Sequence, residues 1–182
     1  MIVDVIEYAG GAQSNTEIMA VQAHRDVLAL PAGTSVAVLV VDTDDLASMV
    51  ARICNACRAQ GAKMRLLRIH SHGQPGTLLQ GRLTAQRVRA EAACLRLLQG
   101  CFETRAHLYL MSCYVAGDGG NDLLIALARA TQTWVTAGTE QQIVGAGATF
   151  YFVGPTLTAE PSGRVHPNLA GIPRGPNPHL SP

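Results

Sequence analysis

Residues 35–42, SVAVLVVD, form a continuous run rich in β-branched valine and ending in a carboxylate, the pattern of a strand covered on both faces. A strand of that kind needs apolar layers on either side, so this stretch limits the chain to architectures with a central, largely parallel sheet. The flanking sequence supplies suitable layers. Thr43 or Asp44 can cap a segment in which Leu46, Met49, Val50 and Ile53 recur at helical spacing, and Gly61 stops it. KMRLLRIHS (63–71) reads as the next strand, roughly 84–98 as a helix, and HLYLMS (107–112) as a strand. A helix follows from Asn121 to about Ala130, with further strands at WVTAG (134–138) and ATFYFVG (148–154). In the second helix Val88, Ala92, Leu95 and Leu98 share a face, and Arg82, Arg87, Arg89 and Arg96 are expected mostly in water.

The alternation of strand and helix after residue 34 predicts an α/β fold: a mainly parallel sheet flanked by helices on both faces, a three-layer sandwich. IVDVIEY (2–8) adds a strand, closed by Gly10-Gly11. Residues 17–30 fit neither period. Ser14-x-x-Glu17 has the form of a capping box, yet the stretch could equally pair as a strand, and both readings stay open. With 182 residues and 48% apolar content the chain suits one domain, assigned here to residues 1–165. Residues 166–182 hold five prolines and read as a tail or an extended docking segment that could engage a partner protein.

Composition narrows the function. The formal charge of +1 and an aromatic content of 4% give no basis for a nucleic-acid partner. No apolar run approaches the ~20 residues of a membrane-spanning helix, and the acidic N-terminal stretch lacks the basic region of a secretory signal. The five cysteines (54, 57, 94, 101 and 113) are odd in number and scattered, which favours a reducing, cytoplasmic setting over a disulfide scaffold; export without a classical signal stays open. Cys54-x-x-Cys57 lies within a helical pattern with no second pair to complete a zinc site, and His70-Ser-His72 lacks the Asp-His that a metallohydrolase would add. No metal or cofactor is expected, and neither a P-loop nor a dinucleotide fingerprint is present.

In parallel sheets function collects at the carboxyl ends of the strands. Here those ends carry Asp42 and its acidic neighbours, His72-Gly73, and Ser112-Cys113. An imidazole can take the proton of a nearby thiol. A glycine lets a carbonyl approach its backbone N–H, which together with that of Cys113 can hold an oxyanion.

LRIHSHGQPG followed by HLYLMSCYVAGDGG resembles the caspase-like cysteine peptidases of clan CD, in which one strand ends in His-Gly and the next core strand in the catalytic cysteine. The separation of 41 residues (113 − 72) is near the roughly 50-residue spacing of the caspase histidine. The resemblance spans about residues 35–155. It implies a caspase-like sandwich, a catalytic dyad of His72 as base and Cys113 as nucleophile, Gly73 as oxyanion donor, and a protein or peptide substrate. Ser112-Cys113-Tyr114 replaces the Gln-Ala-Cys-Arg-Gly of true caspases. By analogy with other branches of the clan, Asp42 and Asp118 are implied to bind an Arg or Lys side chain. Asp42 has an alternative reading as a helix cap, as do Asp44 and Asp45. An adaptor that keeps the fold without catalysis is the chief alternative for the whole chain, and a Cys-dependent amidase or transferase acting on a non-peptide substrate is a third. Arg164 and Arg174 are candidate self-cleavage points.

Overall fold

The computed structural model describes residues 1–8, 25, 27, 29, 35–41, 44–142 and 151–175. Its centre is a seven-stranded sheet. The strands are β1 (Ile2–Tyr8), β2 (Ser35–Val41), β3 (Met64–His70), β7 (Phe102–Met111), β8 (Trp134–Gly138), β10 (Thr156–Ala159) and β11 (Val165–Pro167), in the spatial order β2-β1-β3-β7-β8-β10-β11. The first five positions of that order run parallel, and β10 and β11 complete the sheet antiparallel. A small three-stranded meander, β4 (Gly73–Gln74), β5 (Thr77–Leu78) and β6 (Leu83–Thr84), follows β3, and β9 (Phe152–Val153) pairs with β12 (Arg174–Gly175).

The helices are α1 (Leu46–Gln60), α2 (Ala85–Ala90), α3 (Ala92–Leu95) and α4 (Asn121–Thr131), and a 3₁₀ turn at Arg96–Cys101 leads into β7. They share one apolar core with one face of the sheet: Met49, Val50, Ile53, Val88, Leu95, Leu98, Leu123, Leu124 and Leu127 pack with Val3, Val5, Leu67, Ile69, Leu108, Leu110, Val135 and Ala137. The helix predicted over 84–98 is broken at Glu91, which serves both as the end of α2 and the start of α3.

Strand order dictates where the remaining connection goes. The β1→β2 step moves one way along the sheet, whereas β2→β3, β3→β7 and β7→β8 move the other way. Right-handed crossovers therefore lead one to expect the described residues between β1 and β2 on the face opposite α1 to α4. The described part of that connection agrees. Arg25 and Val27 are helical, the Ala29 amide donates to the Arg25 carbonyl at 3.0 Å, and Val27 is buried on Ile6 beside Ala37. Helical residues thus lie on both faces, and in the stretch left open between helix and strand Arg25 and Val27 are helical and Ala29 lies in a turn. Further along the second face, Tyr109, Met111, Phe152 and Ile172 make a separate apolar cluster with Leu66 and Leu169.

The caps follow local chemistry. Asp45 is the N-cap of α1, accepting from the Ser48 amide at 2.7 Å. Asp44 instead accepts from the Val41 amide at 2.8 Å and pairs with Arg52 at 2.7 Å. Gly61 closes α1 in the left-handed region (φ +59), where a Cβ would be strained.

Arg82 departs from the solvent-facing expectation. It donates to Glu7 at 2.6 Å and to the carbonyls of Val41 and Asp44, because Glu7 at the end of β1 is only 1% exposed and requires a counter-charge. The segment from 166 also differs from a free tail. Val165–Pro167 is an edge strand, where a proline is tolerated, and Ile172 is buried in the second-face cluster. Residues 166–175 therefore belong to the folded body, and the boundary set at 165/166 falls inside β11. Arg164 is exposed at the β10–β11 turn, and Arg174 lies in β12. Among the described residues, no helix is long and apolar enough to cross a membrane.

Candidate functional site

Two strand ends meet at the carboxyl edge of the sheet. In the parallel register of β3 and β7, His70 lies opposite Met111. Continuing the register by two residues brings 72 beside 113. Contacts beyond the strands support this alignment. The Ser71 and Ser112 hydroxyls hydrogen bond at 3.0 Å, both buried. Ser71 also donates to the His72 carbonyl at 3.1 Å and accepts from the Leu79 amide at 3.3 Å. With its single proton used on His72, Ser71 accepts from Ser112, so each oxygen is satisfied and the two exits are fastened together.

Gly73 makes the closest approach. A Cβ at this position would lie 2.6 Å from the Cys113 carbonyl oxygen, 2.6 Å from Val115 Cγ2 and 2.8 Å from Ser112 Cβ. Glycine is therefore required for the loop after β3 to lie against the loop after β7, in addition to any role its amide plays toward a substrate. Gly73→Ala is expected to push the loops apart. It should cost about 1–3 kcal/mol of stability by overpacking, read as a lower denaturant midpoint, and lower any Cys113-dependent activity by about 100-fold through misplacement of the reacting groups.

Cys113 is half-buried, and its Sγ donates to the Gln142 carbonyl oxygen at 3.5 Å. Burial pushes the thiol up from its ordinary value, opposed in part by backbone hydrogen bonding at Gln142 and at Cys113 itself. The resting group is thus a thiol at neutral pH, and it needs a base to become a nucleophile. In a His72→Ala variant, Cys113 alkylation by iodoacetamide is expected to rise with pH to a midpoint above the ordinary value of 9.0. A midpoint below that value would contradict the burial argument.

Gln142 holds its own loop in place. Its amide nitrogen donates to Glu140 and Val153 carbonyls at 3.0 and 3.2 Å, and its side-chain oxygen accepts from the Val153 amide at 2.9 Å. The turn after the cysteine is constrained as well. Tyr114 has φ +57, uncommon for a residue with a Cβ, and is kept there by bonds from its amide to the Glu140 carbonyl (2.9 Å) and from the Gly117 amide to its own carbonyl (2.7 Å). Asp118 lies with Tyr114, Asn121, Thr139 and Pro75 around an open cavity of about 430 Å³ beginning one residue past Cys113. Asp42 lies outside the described residues.

Ser71, Ser112, Tyr114 and Gln142 were not singled out from sequence. The two serines had a readable signal, since each directly precedes a candidate catalytic residue at the end of its strand. Gln142 and Tyr114 had none, because their roles come from a returning loop and from backbone conformation.

Behind the site, His70 points to the second face. Asp4 accepts from Arg68 Nε and Nη2 at 2.6 and 2.7 Å, from His70 Nε2 at 2.7 Å, and from the Ser35 hydroxyl. His70 is therefore engaged in a buried polar cluster. No group of three His, Cys, Asp or Glu side chains among the described residues is arranged to hold a metal ion.

The chain matches, over residues 9–149, the profile of a family described as a domain of unknown function, DUF4347. It belongs to that family. Neither a curated protein nor a solved structure matches it. The matched DUF4347 region takes in β2, β3, β7 and β8 and every residue placed at the candidate site, so the Ser71–Ser112 junction and the Gly73 approach lie within the family's own span.

Proposed function

We propose that this DUF4347 domain is a caspase-like cysteine endopeptidase with a Cys113–His72 dyad. The observation that carries the reading is the close seating of Gly73 against Cys113, which makes His72-Gly73 and Cys113 immediate neighbours at the carboxyl edge of the sheet. In the proposed reaction His72 removes the Cys113 proton as sulfur attacks a peptide carbonyl. Backbone N–H groups at Gly73 and Cys113 hold the oxyanion. His72 then protonates the departing amine as the C–N bond breaks, leaving a thioester that water hydrolyses. The Asp118 cavity is suited to an Arg or Lys side chain, which a carboxylate would hold by a charge-assisted hydrogen bond. The reading assigns the protein to the reducing cytoplasm, with no cofactor.

A second reading, a catalytically silent adaptor, draws support from the raised Cys113 pKa, since burial outweighs the backbone hydrogen bonds that favour a thiolate. A fragment-mass profile of a denatured protein mixture, treated with wild type and with Cys113→Ala, separates the two. The peptidase reading expects new peptide ends after Arg or Lys in the wild type alone. Identical profiles would favour the adaptor.

A further inference from the structure

Four of the five cysteines converge far from Cys113. Cys54 and Cys57 lie one turn apart on α1, Cys94 on α3 and Cys101 at the end of the 3₁₀ turn, and all four line an open cavity of about 660 Å³. The Cys101 thiol donates to Cys54 Sγ at 3.3 Å, and both sulfurs lie 3.9 Å from the Leu97 carbonyl oxygen. Leu97 itself is 64% exposed at the rim.

We propose that Cys54 and Cys101 are a modification site: a dithiol that closes to a disulfide when the protein meets an oxidised low-molecular-weight disulfide such as oxidised glutathione. Three features support it. The sulfurs already stand 3.3 Å apart, so only a short further approach separates them from a disulfide bond. The cavity is within the size range of small-molecule sites, giving the oxidant a way in. The Cys101 sulfur also adds to burial in depressing the ionisation of Cys54 and Cys57. Burial first, then the hydrogen bond and charge of Cys101, push Cys54 up to about 12; burial and Cys101 push Cys57 up to about 11. A Cys54 thiol held up in this way reacts slowly at neutral pH, which favours a durable cross-link over a rapid sensor.

The step balances as two exchanges. One thiol of the pair loses its proton and attacks a glutathione sulfur, forming a mixed disulfide and releasing one glutathione thiolate. The second thiol loses its proton and attacks the protein sulfur, closing the Cys54–Cys101 bond and releasing the second thiolate. The two protons end on the two glutathiones, and the protein loses two electrons to the oxidant. The link ties α1 to the segment that enters β7, whereas Cys113 lies beyond the far end of that ten-residue strand. Closure therefore acts on stability and leaves Cys113 reactivity unchanged.

The full chain is equilibrated with graded ratios of reduced to oxidised glutathione, quenched with iodoacetamide, and examined by intact mass, peptide mapping and thermal melting. The expected result is a loss of two hydrogens, a cross-linked peptide joining residues 54 and 101, and a Tm raised by about 10 °C. Cys54→Ser and Cys101→Ser should each abolish the cross-link, and Cys113→Ser should leave it intact. A 54–57 link, or a glutathione adduct that persists without closing, overturns the proposal. So does recovery of both thiols fully alkylated at the most oxidising ratio. The wild-type map decides by itself, so the test stands even if a serine variant fails to fold.

Discussion

Replacing Cys113 by alanine is expected to reduce peptide hydrolysis by roughly 10⁴-fold or more while leaving the melting temperature nearly unchanged. The sulfur is the protein atom that the proposed reaction joins covalently to the substrate, and its removal leaves a small side chain in a half-buried position. The loss of one bond to the Gln142 carbonyl is the main structural cost. His72→Ala is expected to lower activity by about 10² to 10⁴, the range for removal of a general base. Because burial raises the Cys113 thiol, the residual activity of that variant should climb with pH past 9.0, where hydroxide begins to supply the missing proton acceptor. Activity retained in Cys113→Ala would remove the thiol from the chemistry. Activity retained in His72→Ala at neutral pH would remove the imidazole.

The second large effect is on stability. Asp4 is fully buried, and burial alone would raise its carboxyl. The hydrogen bonds from His70 and Arg68, together with their charges, more than offset this and hold it at about 2, below the ordinary 3.8. A carboxyl lowered in the folded state contributes its stabilisation in full above its unfolded value. That contribution, about 2 kcal/mol, disappears as pH falls from 3.8 toward about 2. Asp4→Asn removes it at every pH and leaves the Arg68 guanidinium buried without its carboxylate. The expected cost is about 3–5 kcal/mol, a Tm lower by about 10 °C at pH 7. Below pH 3 the gap between variant and wild type should shrink, since the wild-type carboxyl is then losing its charge too. Thermal melts at pH 7 and pH 2.5 check both statements. An Asp4→Asn protein as stable as wild type at pH 7 would show the cluster to be dispensable.

This polar cluster marks where the sequence stopped being readable. The strands β1, β2 and β8 were legible to within a residue because each is a compact, valine- or isoleucine-bearing stretch bounded by turn signals, and the Gly61 stop was legible because few residues tolerate that backbone. Alternation alone placed His70 and His72 on the same side, yet nothing local paired His70 with Asp4, 66 residues away. Arg82 was assigned to solvent for the same reason, since its partner Glu7 lies on another strand. Strands β10 and β11 were missed as sheet members because TLTA is short and VHP contains a proline, which only the edge position of β11 accommodates. At the candidate site, the strand-end rule singled out His72, Gly73 and Cys113, and the register of β3 and β7 runs on to the junction where these positions lie. Asp118 was found near the cavity after the cysteine. The fastening residues Ser71, Ser112 and Gln142 depend on contacts between distant segments and carry little or no local signature.

The most direct measurement is covalent labelling of the native protein with an acyloxymethyl-ketone peptide bearing arginine, with the modified residue mapped by mass. Modification confined to Cys113, and lost in His72→Ala, is the predicted result. Failure to modify Cys113, or equal modification with and without the imidazole, would contradict a working dyad at the junction of β3 and β7.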